Sequence, residues 1–402
     1  MPDRIRVLFA IGSLAGGGSE RQVVNILRHL DRSQFEPHLY LISRTGEFLS
    51  QVPDDVPVTA FDDHPNPGGM YLPGKIRRAQ IAHFASVLIN QNIEVVYDRT
   101  PHMTLIAGPA CKKLNVPHLS TVVSNPTDDL SENIGRFRWL KYRILKRAYR
   151  NSSVVIANSD SLTDACRDFY GLPDDNVTIL PNGFDFAKIN HLATENTVAP
   201  QNLAGTFHIV AVGRLEECKG VDLLLEAVNE LVNVRDRINL SVSIVGRGSC
   251  KTQLEHLAAQ HCLEQVVQFV GFQPNPYPLI KSAELLCLTS RYEGMPNVLV
   301  EAMSLGVPVL STDCPHGPRD ILQGGELGIL VSNLDVQSIA DGIERAMKPD
   351  SAREDRTVQA RESVLTRFGI SPTTQALEKL LIDAARGTPQ TITHAADIRS
   401  TP

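Results

Sequence analysis

Along the chain, short apolar runs rich in β-branched residues alternate with segments whose apolar positions recur every three or four residues. "IRVLFAI" (5–11), "HLYLIS" (38–43), "VVYD" (95–98), "HLSTVV" (118–123), "VVIANS" (154–159) and "VTILP" (177–181) read as strands. Between the first two, "ERQVVNILRHL" (20–30) places Val23, Val24, Ile26, Leu27 and Leu30 on one face of a helix. Strands that are apolar at nearly every position belong to a sheet covered on both faces. The alternation therefore predicts parallel strands joined by crossover helices.

The pattern then restarts. "FHIVAVG" (207–213), "LSVSIVG" (240–246), "VVQFVGF" (266–272), "ELLCLTS" (284–290) and "VPVLSTD" (307–313) read as strands, with "GVDLLLEAVNELV" and "CKTQLEHLAAQH" as helices. The fold class is α/β, with two doubly wound halves joined near 182–206. The length of 402 residues fits two domains of about 150–200 residues each. We place one Rossmann-like domain at 1–185 and a second at 186–368. A helix at 369–385 has an apolar face that suits either half, and we expect it to return to the first. The polar, aperiodic tail 386–402 is expected to be disordered.

Composition narrows the class. At 42% hydrophobic and 21% charged residues the chain is that of a soluble globular protein. A net charge of −6 argues against nucleic acid as a partner by bulk electrostatics. Seven cysteines are scattered singly with no CxxC pair, which suggests reduced thiols in a cytoplasm and no structural zinc. The start "MPDRIRVLFAIGSLAGGG" has the arginines and apolar run of a secretory signal. Yet the run is short and flows into a glycine loop, as a first strand does. No run approaches the roughly 20 apolar residues of a membrane span.

Four stretches carry candidate chemistry. "GSLAGGGSERQ" sets Gly16, Gly17 and Gly18 between a strand and a helix. Such a loop lets amides approach a phosphate; it also serves as a tight turn without a ligand. It meets neither the dinucleotide nor the P-loop fingerprint. In "VGRLEECKGVDLLLEAV" (212–228), Arg214 follows a strand and Lys219 opens the next helix. Two cations at the edge where α/β sheets bind ligands suit an anionic leaving group such as a diphosphate; two solvated surface cations are the alternative.

The third stretch, "RYEGMPNVLVEAMSLGVPVLS" (291–311), holds Glu293 and Glu301. In one continuous helix they would stand roughly 80° and about 12 Å apart, a poor geometry for sharing a proton. Pro296 instead suits the first helical position, so the helix runs from 296 to about 305, ended by Gly306 and Pro308. Glu293 then lies on a loop, Glu301 inside the helix, and the amides of Asn297 and Val298 face an anion. The fourth stretch, "RFRWLKYRILKRAYR" (136–150), has seven cations and no acid, interleaved with Trp139, Tyr142, Leu145 and Tyr149. It reads as a membrane-surface or lipid-phosphate helix, or as a solvated helix whose stripe is core.

Together these residues resemble glycosyltransferase family 4, retaining enzymes of the GT-B fold. The resemblance runs from "GGGSE" (16–20) to "PNVLVEAM" (296–303). It is carried most by "VGRL", Lys219-Gly220, "VGRGS" (245–249) and the Glu-x7-Glu pair. "DCPHGPRDIL" (313–322) looks like the subgroup that builds lipid-linked oligosaccharides and surface polysaccharides. The resemblance implies two Rossmann-like domains facing a central cleft, the first for the acceptor and the second for the nucleotide sugar. It implies that Arg214 and Lys219 hold the donor diphosphate, Glu293 contacts the sugar and Glu301 the ribose. Gly213, Gly246, Gly294, Met295, Asn297 and Val298 would line the donor, with Phe272 and Gln273 near the base. Gly16, Gly17 and Gly18 would meet the diphosphate or acceptor.

The implied activity is retaining transfer of a hexose or N-acetylhexosamine from a UDP-sugar to a glycan, with a polyprenyl-diphosphate-linked acceptor. It needs no metal and no cofactor. Arg143, Lys146 and Arg147 would face the acceptor or the inner surface of the plasma membrane, making the chain cytoplasmic and peripheral. Many members carry a His at the end of the strand matching 118–123; here Ser124 and Asn125 stand there and His118 opens the strand. A GT-B epimerase or hydrolase, or a non-catalytic sugar-nucleotide binding protein, are the competing classes. The first would need a general acid/base set that the residues do not supply.

Overall fold

The computed structural model describes residues 4–64, 74–127, 138–195, 205–237, 239–348 and 352–387. The tail from 388 onward, and Arg136 and Phe137 of the basic stretch, lie outside them. The chain divides into two compact units, one formed by 1–183 with 370–402 and the other by 184–369.

The first unit is built on seven strands: β1 Ile5–Ile11, β2 Phe35–Leu41, β3 Val58–Ala60, β4 Val95–Arg99, β5 His118–Val122, β6 Val154–Ala157 and β7 Val177–Ile179. Their order is β3-β2-β1-β4-β5-β6-β7, all parallel. The helices are α1 Gly18–His29, α2 Lys75–Asn90, α3 Pro101–Leu114, α4 Arg138–Arg150 and α5 Asp160–Tyr170. The period of two along β1 shows why both faces must be covered. Val7, Phe9 and Ile11 pack with Val23, Val24 and Leu27 of α1. Leu8 and Ala10 pack the other way, with Phe84 and Leu88 of α2 and Met103 and Ile106 of α3.

In the second unit, α6 Phe186–Leu192 precedes β8 Phe207–Val212, α7 Val221–Asn229, β9 Leu240–Val245, α8 Lys251–Gln260 and β10 Val267–Gly271. Then come α9 Tyr277–Lys281, β11 Leu285–Leu288, α10 Asn297–Ser304, β12 Val309–Thr312, α11 Pro318–Ile321 and β13 Ile329–Val331. Two helices, α12 Val336–Met347 and α13 Ala352–Arg367, close the unit. The parallel order is β10-β9-β8-β11-β12-β13. The same alternation recurs: Ile209 and Ala211 join one core with Val242 and Ile244, while Val210 joins the opposite core with Val245.

The short edge strands β3 and β13, three residues each, have no counterpart in the sequence reading; so few residues leave no periodicity to read. β2 begins before the expected position 38. β3 pairs only with Leu39–Leu41, so Pro37 lies where the strand is a sheet edge and a missing amide is tolerated. His118 is built into the interior, with Nε2 2.6 Å from Asp98 Oδ2. Asp98 also accepts hydrogen bonds from Ser120 and Thr104. The stripe of the basic helix α4 divides. Leu145 and Tyr149 are core, Tyr142 donates to the Phe169 carbonyl at 2.7 Å, and Trp139 is exposed.

The final helix, α14 Ile370–Arg386, belongs to the first unit, where Leu377, Leu380 and Leu381 share a core with Val7 and Phe9. Its Glu378 accepts the Asp31 amide at 2.7 Å. Burial raises the Glu378 carboxyl above its ordinary range. The native state thus holds that proton more tightly than the unfolded chain. Its contribution to stability is complete below the unfolded value and is lost as pH rises through the native one. Glu378→Gln keeps an acceptor for Asp31 and removes this loss. Thermal melts should show the variant gaining on the wild type at pH 8, with the gain shrinking toward pH 4.

Candidate functional site

In the second unit the chain connects leftward from β8 to β9 and rightward at β11, so the β8–β11 neighbours form the topological switch point. The loops leaving these strands, 213–220 and 289–296, sit at their carboxyl ends. The first loop is pinned to the loop after β9. Gly213 donates to the Val245 carbonyl at 3.0 Å, Leu215 to Arg247 at 2.9 Å, and Cys250 to Leu215 at 2.9 Å. Glu216 accepts from the Ser249 amide at 3.0 Å and the Ser249 hydroxyl at 2.5 Å, and these bonds lower its carboxyl. The loops approach so closely that a Cβ on Gly246 would lie 1.8 Å from the Gly213 carbonyl oxygen.

Arg214 follows at the surface, exposed, with no ion pair to a described carboxylate within 4 Å. Lys219 does not open the helix, as the spacing suggested. It ends a 3-10 turn, Glu217–Lys219, and Gly220 in the left-handed region (φ 59°) turns the chain into α7. The left-handed turn lets the Gly220 carbonyl accept the Thr289 hydroxyl at 2.8 Å. The two loops are thereby tied together.

The tie brings Lys219 to Glu293. Lys219 Nζ lies 2.6 Å from Glu293 Oε1, and the Ser290 hydroxyl donates to the same oxygen at 2.6 Å. The side chains are 22% and 8% exposed, so the pair is shielded but reachable. Below it, Thr312 donates to the Ser290 carbonyl at 2.7 Å. Beside it, the Cys314 thiol is pushed up to about 12 by burial and by the Glu293 charge. Arg291 binds Asp222 through both oxygens, at 2.8 and 2.6 Å, and donates to the Glu217 carbonyl. That bidentate bond fixes the strand end against α7.

Gly294, Met295 and Pro296 are buried. Pro296 is the residue just outside α10, with extended backbone (ψ 97°), so the helix begins at Asn297, one position later than expected. Asn297 and Val298 form its half-buried first turn, and Glu301, 4% exposed, accepts from the Tyr277 hydroxyl at 3.3 Å. After β10, Phe272 and Gln273 are half-buried, with the Arg247 guanidinium 4.3 Å from the Phe272 ring centroid. Thus Lys219 meets Glu293 and Gly213 meets Gly246. The Lys219–Glu293 pair itself was not foreseen, because residues 74 apart in sequence share no local signal.

The other expected residues lie in the first unit. Gly16 has φ 98°, Gly17 caps α1 and Gly18 begins it. A Cβ on Gly17 would lie 2.3 Å from Glu20 Oε2, so that carboxylate already lies against the start of α1. Arg143, Lys146 and Arg147 are on α4. Asn125 closes a turn by accepting from Thr127 at 3.2 and 2.8 Å. Two further residues at the end of β4 escaped the sequence reading. Arg99 is buried and donates to Tyr97 at 3.0 Å and Asn182 at 2.8 Å. Thr100, with φ 85°, occupies a region costly for a β-branched residue.

Residues 16–188 match the family model described as Glycosyltransferase Family 4, and 195–363 match that described as Glycosyl transferases group 1. One relative is the N-acetylgalactosamine-N,N'-diacetylbacillosaminyl-diphospho-undecaprenol 4-alpha-N-acetylgalactosaminyltransferase of Campylobacter jejuni. It is 28% identical over 52% of this chain and 55% of its own. Another is the poly(ribitol-phosphate) alpha-N-acetylglucosaminyltransferase of Staphylococcus aureus, 26% identical over 62% of this chain and 47% of its own. The chain thus spans about half the length of the curated relatives it matches. Among solved structures, Anabaena Alr3699/HepE in complex with UDP-glucose is similar at TM-score 0.78 and 20% identity, over 94% of this chain and all of that one. The two parallel-sheet units are those of a GT-B fold.

The Lys219–Glu293 pair is open to a double-mutant cycle. Lys219→Met, Glu293→Gln and the double variant, compared by chemical unfolding, should give a coupling of about 0.5–3 kcal/mol, the range for contacting residues. Additive losses would mean that the pair is not formed without ligand.

Proposed function

Because the chain belongs to glycosyltransferase family 4, we propose that it transfers a sugar residue from a UDP-sugar to a glycan acceptor in polysaccharide or glycoconjugate biosynthesis. The observation that carries the reading is the clamped ion pair at the switch point. One oxygen of Glu293 is held by both Lys219 and Ser290, which orients its second oxygen and leaves the ammonium two more donors. Arg214 stands exposed on the same loop as Lys219. Two cations on fixed loops would neutralise a departing UDP, and preorganised charge of this kind can supply much of a transferase's rate. We assign this neutralisation to Arg214 and Lys219 rather than to a metal.

Glu293 in this reading meets the hydroxyls of a hexose or N-acetylhexosamine, and the first turn of α10 meets the phosphates. Glu301 takes the ribose, with Tyr277 steadying its carboxylate. Phe272 and Gln273 border the base. Because the residues supply no separate nucleophile, the reading is front-face transfer with retention, the leaving phosphate assisting deprotonation of the acceptor. The acceptor is read as polyprenyl-diphosphate-linked. The undecaprenol-diphosphate acceptor in the Campylobacter jejuni relative's name supports this, as do the cations Arg143, Lys146 and Arg147 of α4. Peripheral association with the inner membrane surface follows from the same cations.

The test is a thermal-shift panel of nucleotide sugars, then turnover with the best binder, measured as UDP release with and without acceptor. Arg214→Ala and Lys219→Ala should each lower kcat by on the order of 10²-fold or more. Near-normal turnover in both would refute the leaving-group assignment. UDP release that ignores the acceptor would favour a hydrolase.

A further inference from the structure

We propose that the first unit carries a docking face for an anionic lipid bilayer, assembled from α2, α3 and α4 together rather than from the basic helix alone. This deepens the membrane association proposed above and rests on it. Between the three helices runs a groove of about 1110 Å³. Its lining includes Arg77 from α2, Lys112 and Lys113 from α3, and Arg143, Lys146, Arg147 and Arg150 from α4, with no Asp or Glu among the described residues. None of these seven makes an ion pair with a described carboxylate. The hydrogen bond of Lys112 is to the neutral Asn151 side chain, at 2.6 Å. On a chain of net charge −6, seven cations on one face with no described carboxylate paired to them are a segregation of charge.

The apolar residues say which polyanion fits. Half-buried Ile81, Pro109 and Ile144 also line the groove among the cations. Leu140, which lines the groove, is 41% exposed; its chain neighbour Trp139 is 60% exposed, and Ile76, next to Arg77, 53%. Ile76 and the Trp139–Leu140 pair stand in the first turns of α2 and α4. Both helices lead from the carboxyl end of one strand to the amino end of the next, so these turns lie at the carboxyl edge of the sheet. The Gly16–Gly18 loop leaves β1 at that same edge. RNA would satisfy the cations but offer nothing to Ile76 and Leu140. An acidic bilayer satisfies both, with headgroup phosphates on the cations and Trp139 at the interfacial level. It would also present a lipid-linked acceptor to the edge where the glycine loop lies.

The experiment is flotation of the full chain with phosphatidylcholine vesicles, with and without phosphatidylglycerol. Each cation near an acidic surface is worth about 5-fold in partitioning, so Lys112→Gln/Lys113→Gln should weaken binding roughly 25-fold, and Arg143→Gln/Arg147→Gln by a similar factor. Added salt should shrink both effects as screening sets in. Trp139→Ala should weaken the part of the binding that survives salt. Unchanged melting temperatures confirm that the variants fold.

Normal binding by the Lys112/Lys113 variant would overturn the three-helix face. Equal binding to neutral and acidic vesicles would do the same. Tight RNA binding lost in these variants, with no vesicle binding, would assign the face to nucleic acid instead. UDP release with a water-soluble acceptor should be unaffected in the Lys112/Lys113 variant. Absence of transfer in the wild type, with vesicle binding intact, would fault the transferase reading and leave the docking face standing.

Discussion

A parallel sheet sends the carboxyl end of every strand to one edge, and the rest of this molecule follows from that constraint. Crossover helices must return the chain to the opposite edge, so the loops that start helices gather where the strands end. Where the winding direction reverses, two such loops diverge and leave a crevice. In the second unit this happens between β8 and β11. Lys219 and Glu293 come from those two loops. Their meeting is therefore a consequence of topology before it is a matter of side-chain chemistry.

The chemistry then decides how the crevice is kept ready. A half-buried ammonium and a buried carboxylate each pay for lost hydration unless their donors and acceptors are satisfied. Here a hydroxyl from Ser290 shares the load on one Glu293 oxygen, and a hydroxyl from Thr312 holds the Ser290 carbonyl. Thr289 ties the Gly220 turn to the same strand end. Three hydroxyl side chains at the ends of β11 and β12 thus position one ion pair. Substituting any of them would act on the pair through its geometry.

The sequence made the repeated α/β winding legible because long strands buried on both faces must be apolar at nearly every position. It made the Glu293–Glu301 separation legible because a proline such as Pro296 is favoured just outside a helix or at its first turn and costly further in. What it left unread has two physical causes. Edge strands such as β3 and β13 are too short to carry a period. Contacts such as Lys219–Glu293, or the placing of Thr100 at a positive φ, depend on where distant loops land. The basic helix shows the limit most clearly. Periodicity put Trp139, Tyr142, Leu145 and Tyr149 on one stripe, but the packing of α5 covers only part of it: the Phe169 ring lies 5.0 Å from that of Tyr142 and the Tyr170 ring 4.5 Å from that of Tyr149, leaving Trp139 outside.

The two units show the same electrostatic arrangement at their glycine-lined loops. In the second, the cation Lys219 is held by an internal carboxylate, Glu293. In the first, the start of α1, with its partial positive charge, has the Glu20 carboxylate lying against Gly17. Both of these places are thus occupied by an anion of the protein's own. Such an internal partner lowers the cost of keeping donors preorganised and dry. It also means that an incoming phosphate gains only the difference between its own interaction and the one it replaces. Glu293 can stay, because a lysine has donors to spare. Glu20, lying against the first turn of α1, would have to swing aside for a ligand that reached Gly17 from its side. An anion arriving beside Lys219 would therefore need little rearrangement, and one arriving beside Gly17 the movement of a side chain.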